Sequence, residues 1–176
     1  MTLDKDNYKI IEISKVDNKI IKKLIDNLKL GISDDFFISF ESLLKLGKKA
    51  ESVIESQIKD IDDEHSFKKE IFNILLKSIK TKEIENPLIK KLYHPDFTIR
   101  AKAIIHLEKN EALKYLNLIL PLASDPDDSV RWAVVKLLGT LNQLENPNIS
   151  KVLKKQLNFE SNPVIQKKIK KILKKS

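Results

Sequence analysis

The stretch "SDPDDSVRWAVVKLLGTL", residues 124–141, contains a turn, a helix cap and one helical face. Val130, Val134 and Leu138 fall at i, i+4 and i+8, the spacing that places side chains on one side of a helix. Asp127 stands just ahead of them as an N-cap, with a side-chain oxygen able to accept a bond from an orphan N–H of the first turn. The stretch holds no reactive constellation. Its weight comes from its recurrence.

Upstream by 31 residues lies "HPDFTIRAKAIIHL", residues 94–107, which matches it at Pro95, Asp96, Thr98, Ile99, Arg100 and Leu107. Downstream, "NPVIQKKIKKIL" (162–173) repeats the pattern at a spacing of 35, and "EHSFKKEIFNILL" (64–76) and "SDDFFISFESLL" (33–44) follow it more loosely. Three apolar columns emerge. They are Phe36, Phe67, Ile99, Val130, Ile165; then Phe40, Ile71, Ala103, Val134, Ile169; and Leu44, Leu75, Leu107, Leu138, Leu173. A polar column of Ser33, Glu64, Asp96, Asp127 and Asn162 precedes each run, and four of its five members are good N-caps. Pro163 follows its cap at the first helical position, where a missing N–H costs nothing.

A second helix is expected after each of the first four. The segments are 48–61, 85–93, 110–123 and 145–157, two of them opening on Glu-Asn-Pro. Each unit then reads helix, turn, helix, polar turn. One such pair cannot bury its apolar face, whereas pairs stacked in a row share a continuous core. The expected fold is an all-α solenoid of about five units in one domain, 1–176. Residues 1–30 cap one end, with a helix over roughly 17–30, and 158–176 form a basic capping unit at the other. "YKIIEIS" near the start reads either as a short extended segment or as a frayed helix.

Composition agrees. Gly is scarce, with 3 residues, and Leu, Ile, Lys and Glu dominate, as in helical proteins. The absence of Cys removes disulfides, thiolate catalysis and Cys-based metal sites. No apolar run approaches a membrane span, and the start lacks the pattern of a signal peptide, so a cytoplasmic protein is expected. The net charge of +8 is unevenly placed: residues 151–176 hold nine lysines and one acid, Glu160.

The Asp-Pro turn, the Val-Arg pair and the alternating Ala and Leu of "DPDDSVRWAVVKLLGTL" resemble the A helix of a HEAT repeat, in particular the short HEAT-like units of the phycobilin-lyase type. "HPDFTIRAKAIIHLEKN" is a second match. Phe37 and Gln166 stand where the Arg of the pattern belongs, so the first and last units depart from it. The resemblance implies a right-handed α-solenoid (a right-handed superhelix) with A helices on the convex side, B helices lining the concave side, and a binding or scaffolding role. It does not by itself imply an activity.

Enzymatic relatives of that fold set requirements this chain does not meet. The HEAT-like di-iron hydroxylases use repeated His-Glu pairs. No such dipeptide occurs here, and His65, His94 and His106 fall in different units without ligand spacing. HEAT-like DNA glycosylases use several aromatics and an acid in the groove, against one Trp and three Tyr here. No cofactor and no metal site is expected.

Binding residues are the better candidates. Arg100 and Arg131 form a ladder one unit apart, read first as tying units together through Asp96, Asp127 or Asp128 and second as a pair of guanidinium forks for phosphate or carboxylate. Trp132 lies off the apolar columns and is either packed under a turn or an exposed anchor. On the last helix Lys167, Lys168, Lys170, Lys171, Lys174 and Lys175 face away from Ile165, Ile169, Ile172 and Leu173. They serve as a polar cap or as an anion-binding surface. Lys154 and Lys155 extend that patch, and Lys90, Lys91 and Lys114 continue it along the concave side. The leading expectation is a non-catalytic scaffold binding a protein partner along its B-helix face. The alternative is a nucleic-acid- or ribosome-associated module using the lysines through phosphate contacts. A glycosylase is the third.

Overall fold

The computed structural model describes residues 17–59, 61, 67–81, 87–141 and 146–174. All regular structure among them is helical, and the fold class is the expected all-α solenoid of stacked helix pairs. Two compact units form, Met1–Ile84 and Glu85–Ser176. Glu64, His65, Lys175 and the "YKIIEIS" segment lie outside the described residues.

In the first unit, α1 (Asn18–Leu30) begins at Asp17, whose carboxylate accepts the Ile20 N–H at 2.9 Å. Its buried face is Ile21, Leu24, Ile25 and Leu28. α2 (Asp34–Leu46) starts at Ser33, which accepts from the Phe36 N–H at 3.1 Å. It stops at Gly47, whose φ of 55° is the left-handed region that glycine enters without steric cost. α3 (Lys48–Lys59) and α4 (Phe67–Thr81) follow. α1 packs on α2 and α3, and α4 packs on both α2 and α3. Phe36, Phe37, Phe40 and Phe72 are fully buried. Phe36 meets Phe37 edge-on, with centroids 5.6 Å apart, and stacks on Phe67 at 5.9 Å. Phe37 therefore occupies the Arg position because this unit is held by an aromatic core.

The second unit opens on α5 (Pro87–Lys91), which stops short of the expected 85–93. Pro95 biases His94 away from helical ψ, and Leu92 and Tyr93 are buried in the turn instead. α6 (Phe97–His106) and α9 (Asp128–Leu141) are the A helices of successive pairs and pack along each other. The B segment expected as one helix over 110–123 is broken into α7 (Lys109–Lys114), α8 (Leu116–Ile119) and a 3₁₀ turn, Leu120–Ser124. Pro121 explains the last step: it has no N–H to donate, and its ring crowds the carbonyl one turn back. Tyr93 Oη donates to the Leu118 carbonyl at 2.7 Å, joining two successive B segments within the core.

α10 (Pro147–Phe159) and α11 (Pro163–Leu173) complete the row, capped by Asn146 and Asn162. α9 touches both α6 and α11, so it is the interior A helix. Its face toward α11 includes Gly139, where an added Cβ would come within 2.7 Å of Ile172 Cδ1. Of the three predicted columns, Phe67, Ile99, Leu44 and Leu173 are half-buried, and the other eleven members are buried.

Candidate functional site

The chemistry of the second unit is organised by the turns ahead of its A helices. Asp96, Asp127 and Asn162 are the caps, accepting the N–H two residues on at 2.8, 2.9 and 2.9 Å. Two residues before each cap stands a second acceptor: His94, Asp125 and Glu160. Each accepts its cap residue's own N–H, at 3.0, 2.9 and 2.9 Å. The two acids of that column do more, because each also receives the arginine of the preceding A helix.

Arg100 is 1% exposed and binds Asp125 two-pronged, Nε to Oδ2 at 2.9 Å and Nη2 to Oδ1 at 2.8 Å. Its Nη1 donates to the carbonyls of His94 and Pro95, both at 2.8 Å. One repeat on, Arg131 does the same with Glu160 at 2.8 and 2.9 Å and with the carbonyls of Asp125 and Pro126. The fork geometry of guanidinium permits all of this from one side chain, and an ammonium could not replace it. The ladder ends at Gln166, which keeps only the carbonyl bond, to Glu160 at 2.6 Å. The Arg residues therefore tie neighbouring turns together, but not through the expected acids. Asp96 and Asp127 cap their own helices, and Asp128 accepts from the Asn162 amide at 2.9 Å. Sequence reasoning missed Asp125 and Glu160. Their signal was the recurrence of an acid two positions before the cap.

The two rungs differ electrostatically. Burial pushes the Asp125 carboxyl up from its ordinary value, against the pull of Arg100 and the Asp127 N–H. In a buried pair of this kind desolvation offsets most of the mutual attraction. Burial also works to raise Glu160, but bonds from Arg131, the Asn162 N–H and Gln156 prevail and hold it at about 2. An unfolded Glu titrates near 4.5, so this depressed group contributes stability that is complete above that pH and lost as pH falls toward 2. Glu160→Gln is expected to lower stability at neutral pH by on the order of 2 kcal/mol. Its melting temperature should converge on the parent's as pH falls from 5 to 2. Parallel curves in thermal melts over that range would contradict the assignment.

With both arginines consumed internally, the exposed cations of the unit are lysines. Residues 85–176 hold 17 basic and 9 acidic residues, net +8, whereas residues 1–84 hold 16 of each. Lys90 and Lys91 (α5), Lys114 (α7), and Lys154 and Lys155 (α10) are all exposed on B-side helices of this one unit. Lys114 lies over the Tyr115 ring, 5.2 Å from its centroid. On α11, Lys167, Lys170, Lys171 and Lys174 are exposed and Lys168 is half-buried. Trp132 is 37% exposed on α9.

His94 is half-buried with Nδ1 engaged by the Asp96 N–H, and His106 is exposed with Nδ1 at 2.7 Å from the Lys102 carbonyl. Among the described residues no three His, Asp or Glu side chains converge as a metal site requires. No helix among them is long and apolar enough to cross a membrane.

Comparison with curated proteins and with solved structures returns no match. A family model described as HEAT repeats matches residues 84–173, which covers the second unit, its cap column and its arginine ladder. The match is to HEAT repeats at large and does not single out the phycobilin-lyase type. On a match to half of its length, laid over stacked helix pairs with capped turns, the chain belongs to the HEAT-repeat family.

Proposed function

We propose that the protein is a non-catalytic adaptor whose second unit binds an acidic protein segment along its B-helix face. HEAT repeats in general are protein-interaction scaffolds and typically non-catalytic, which supports the class of function. The observation that carries the finer reading is the charge of that face. Among the described residues Lys90, Lys91, Lys109, Lys114, Lys151, Lys154 and Lys155 are exposed on the B-side segments, against Glu108 exposed and Glu111 half-buried. Such a face steers and orients an acidic partner more than it anchors one. A nucleic-acid reading is less well served. Directional phosphate recognition favours arginine, and both arginines are spent on the ladder.

Charge reversal at Lys90, Lys91, Lys154 and Lys155 tests the reading by crosslinking and quantitative recovery from cells. Partners recovered by the parent should be lost from this variant and kept by Lys102→Glu/Lys136→Glu, which alters the A helices. Equal loss from both variants, or RNA and DNA as the material recovered, would defeat it.

A further inference from the structure

The end of the second unit carries a feature that a polar cap does not require. Phe159, the last residue of α10, is 76% exposed, and Val164, the second of α11, is 62% exposed. They flank a single turn, Glu160 to Asn162. That turn is rigid. Glu160 is 5% exposed and takes bonds from Arg131, Gln156 and the Asn162 N–H, and its carbonyl takes one from Gln166. Phe159 and Val164 cannot swing inward without breaking that network, so both are held out in water.

Helical spacing sets lysines beside them. Lys155 is one turn before Phe159, and Lys167 and Lys171 follow Val164 at i+3 and i+7. All three are exposed and have no ion pair among the described residues. Across residues 151–174 the one acid is Glu160, and its charge is matched by Arg131. Two apolar tips beside strongly hydrated point charges, with no free guanidinium and with the nearby acids Glu160 and Asp128 bonded to Arg131 and to the Asn162 amide, are the elements of an interfacial anchor. The tips gain by leaving water, and the lysines by the negative potential of anionic headgroups. A nucleic acid would draw on the lysines but gain nothing from Val164, which cannot stack on a base.

We propose that the α10–α11 turn and the outer face of α11 form a peripheral docking surface for an anionic lipid bilayer. The surface shares Lys155 of α10 with the proposed protein-binding face, so its test rests on Lys167, Lys171, Phe159 and Val164, which that face does not use. The test is co-sedimentation of the full chain with vesicles of phosphatidylcholine alone, or with about one third phosphatidylserine, at roughly 0.1 M and 1 M salt.

The expected result is partition onto the anionic vesicles only, weakened by salt. Lys167→Gln/Lys171→Gln should reduce it about thirtyfold at low salt, since each lysine contributes about fivefold near such a surface. Phe159→Ser/Val164→Ser should reduce it by about tenfold or more at either salt. All four positions are exposed or at a helix surface, so the variants keep the fold. Three outcomes overturn the proposal: equal partition onto neutral vesicles, no partition onto either, or binding unchanged by Phe159→Ser/Val164→Ser. Salt-sensitive binding to duplex DNA with no binding to vesicles reassigns the lysines to nucleic acid.

Discussion

Asp125→Ala is expected to cost about 3–5 kcal/mol, a large share of the roughly 5–15 kcal/mol that holds a domain folded. The reason is asymmetric. The intact pair contributes little net, because burying Asp125 offsets most of what Arg100 returns. Removing the carboxylate, however, strands a guanidinium that is 1% exposed and leaves two of its donors facing no acceptor. The Asp127 N–H loses its acceptor as well.

The compensating variant separates this from simple fragility. Arg100→Met/Asp125→Leu removes both charges together and should recover most of the loss. Asp125→Asn keeps an acceptor for the Asp127 N–H but not the charge, and should fall between. Urea melts of the four proteins read the differences directly. A cost for Asp125→Ala below about 1 kcal/mol would mean that water or a shifted carbonyl satisfies Arg100, and that the ladder does not fix register.

Leu138→Ala should cost about 3–4 kcal/mol, and Leu173→Ala less than half of that. The two leucines occupy one column and the same position within their repeats. Leu138 is fully buried on α9, which is packed by α6 on one side and α11 on the other. A cavity there has little freedom to collapse. Leu173 is half-buried at the end of the last helix, where water already reaches part of it. In a closed bundle the two positions would be equivalent, and the costs would match. Inequality between identical substitutions in one column is therefore a mark of stacking in a row.

These columns were the legible part of the fold. Val130, Val134 and Leu138 could be placed from spacing alone, because helical period and burial are local properties that each repeat states again. The caps at Ser33, Asp96, Asp127 and Asn162 were legible for the same reason, since a cap bonds its own first turn. The partners of Arg100 and Arg131 were not. They lie 25 and 29 residues away in the next turn, and choosing among several acids there needs the stacking geometry that only the folded chain supplies. The break in the third B segment was written in Pro121, but the apolar run around it masked the signal.

The candidate surfaces were legible in part. The excess of lysine near the C-terminal end was plain, and the named lysines of α5, α7, α10 and α11 are exposed or half-buried on a single unit. The exposure of Phe159 and Val164 was not legible. Each belongs by composition to the core, and what holds them outward is the Glu160 network, assembled from residues of three separate segments. Trp132 fell between the two readings weighed for it, at the border of exposure.

The helix pairs of the second unit stand in a row. Spin labels at Ile105, Lys136 and Lys171, exposed positions on α6, α9 and α11, measure it most directly by pulsed dipolar spectroscopy. Neighbouring helices pack about 8–10 Å apart. A row predicts that the α6–α11 distance is about twice the α6–α9 distance, about 16–20 Å between axes. Three similar distances would show a closed bundle and contradict the account.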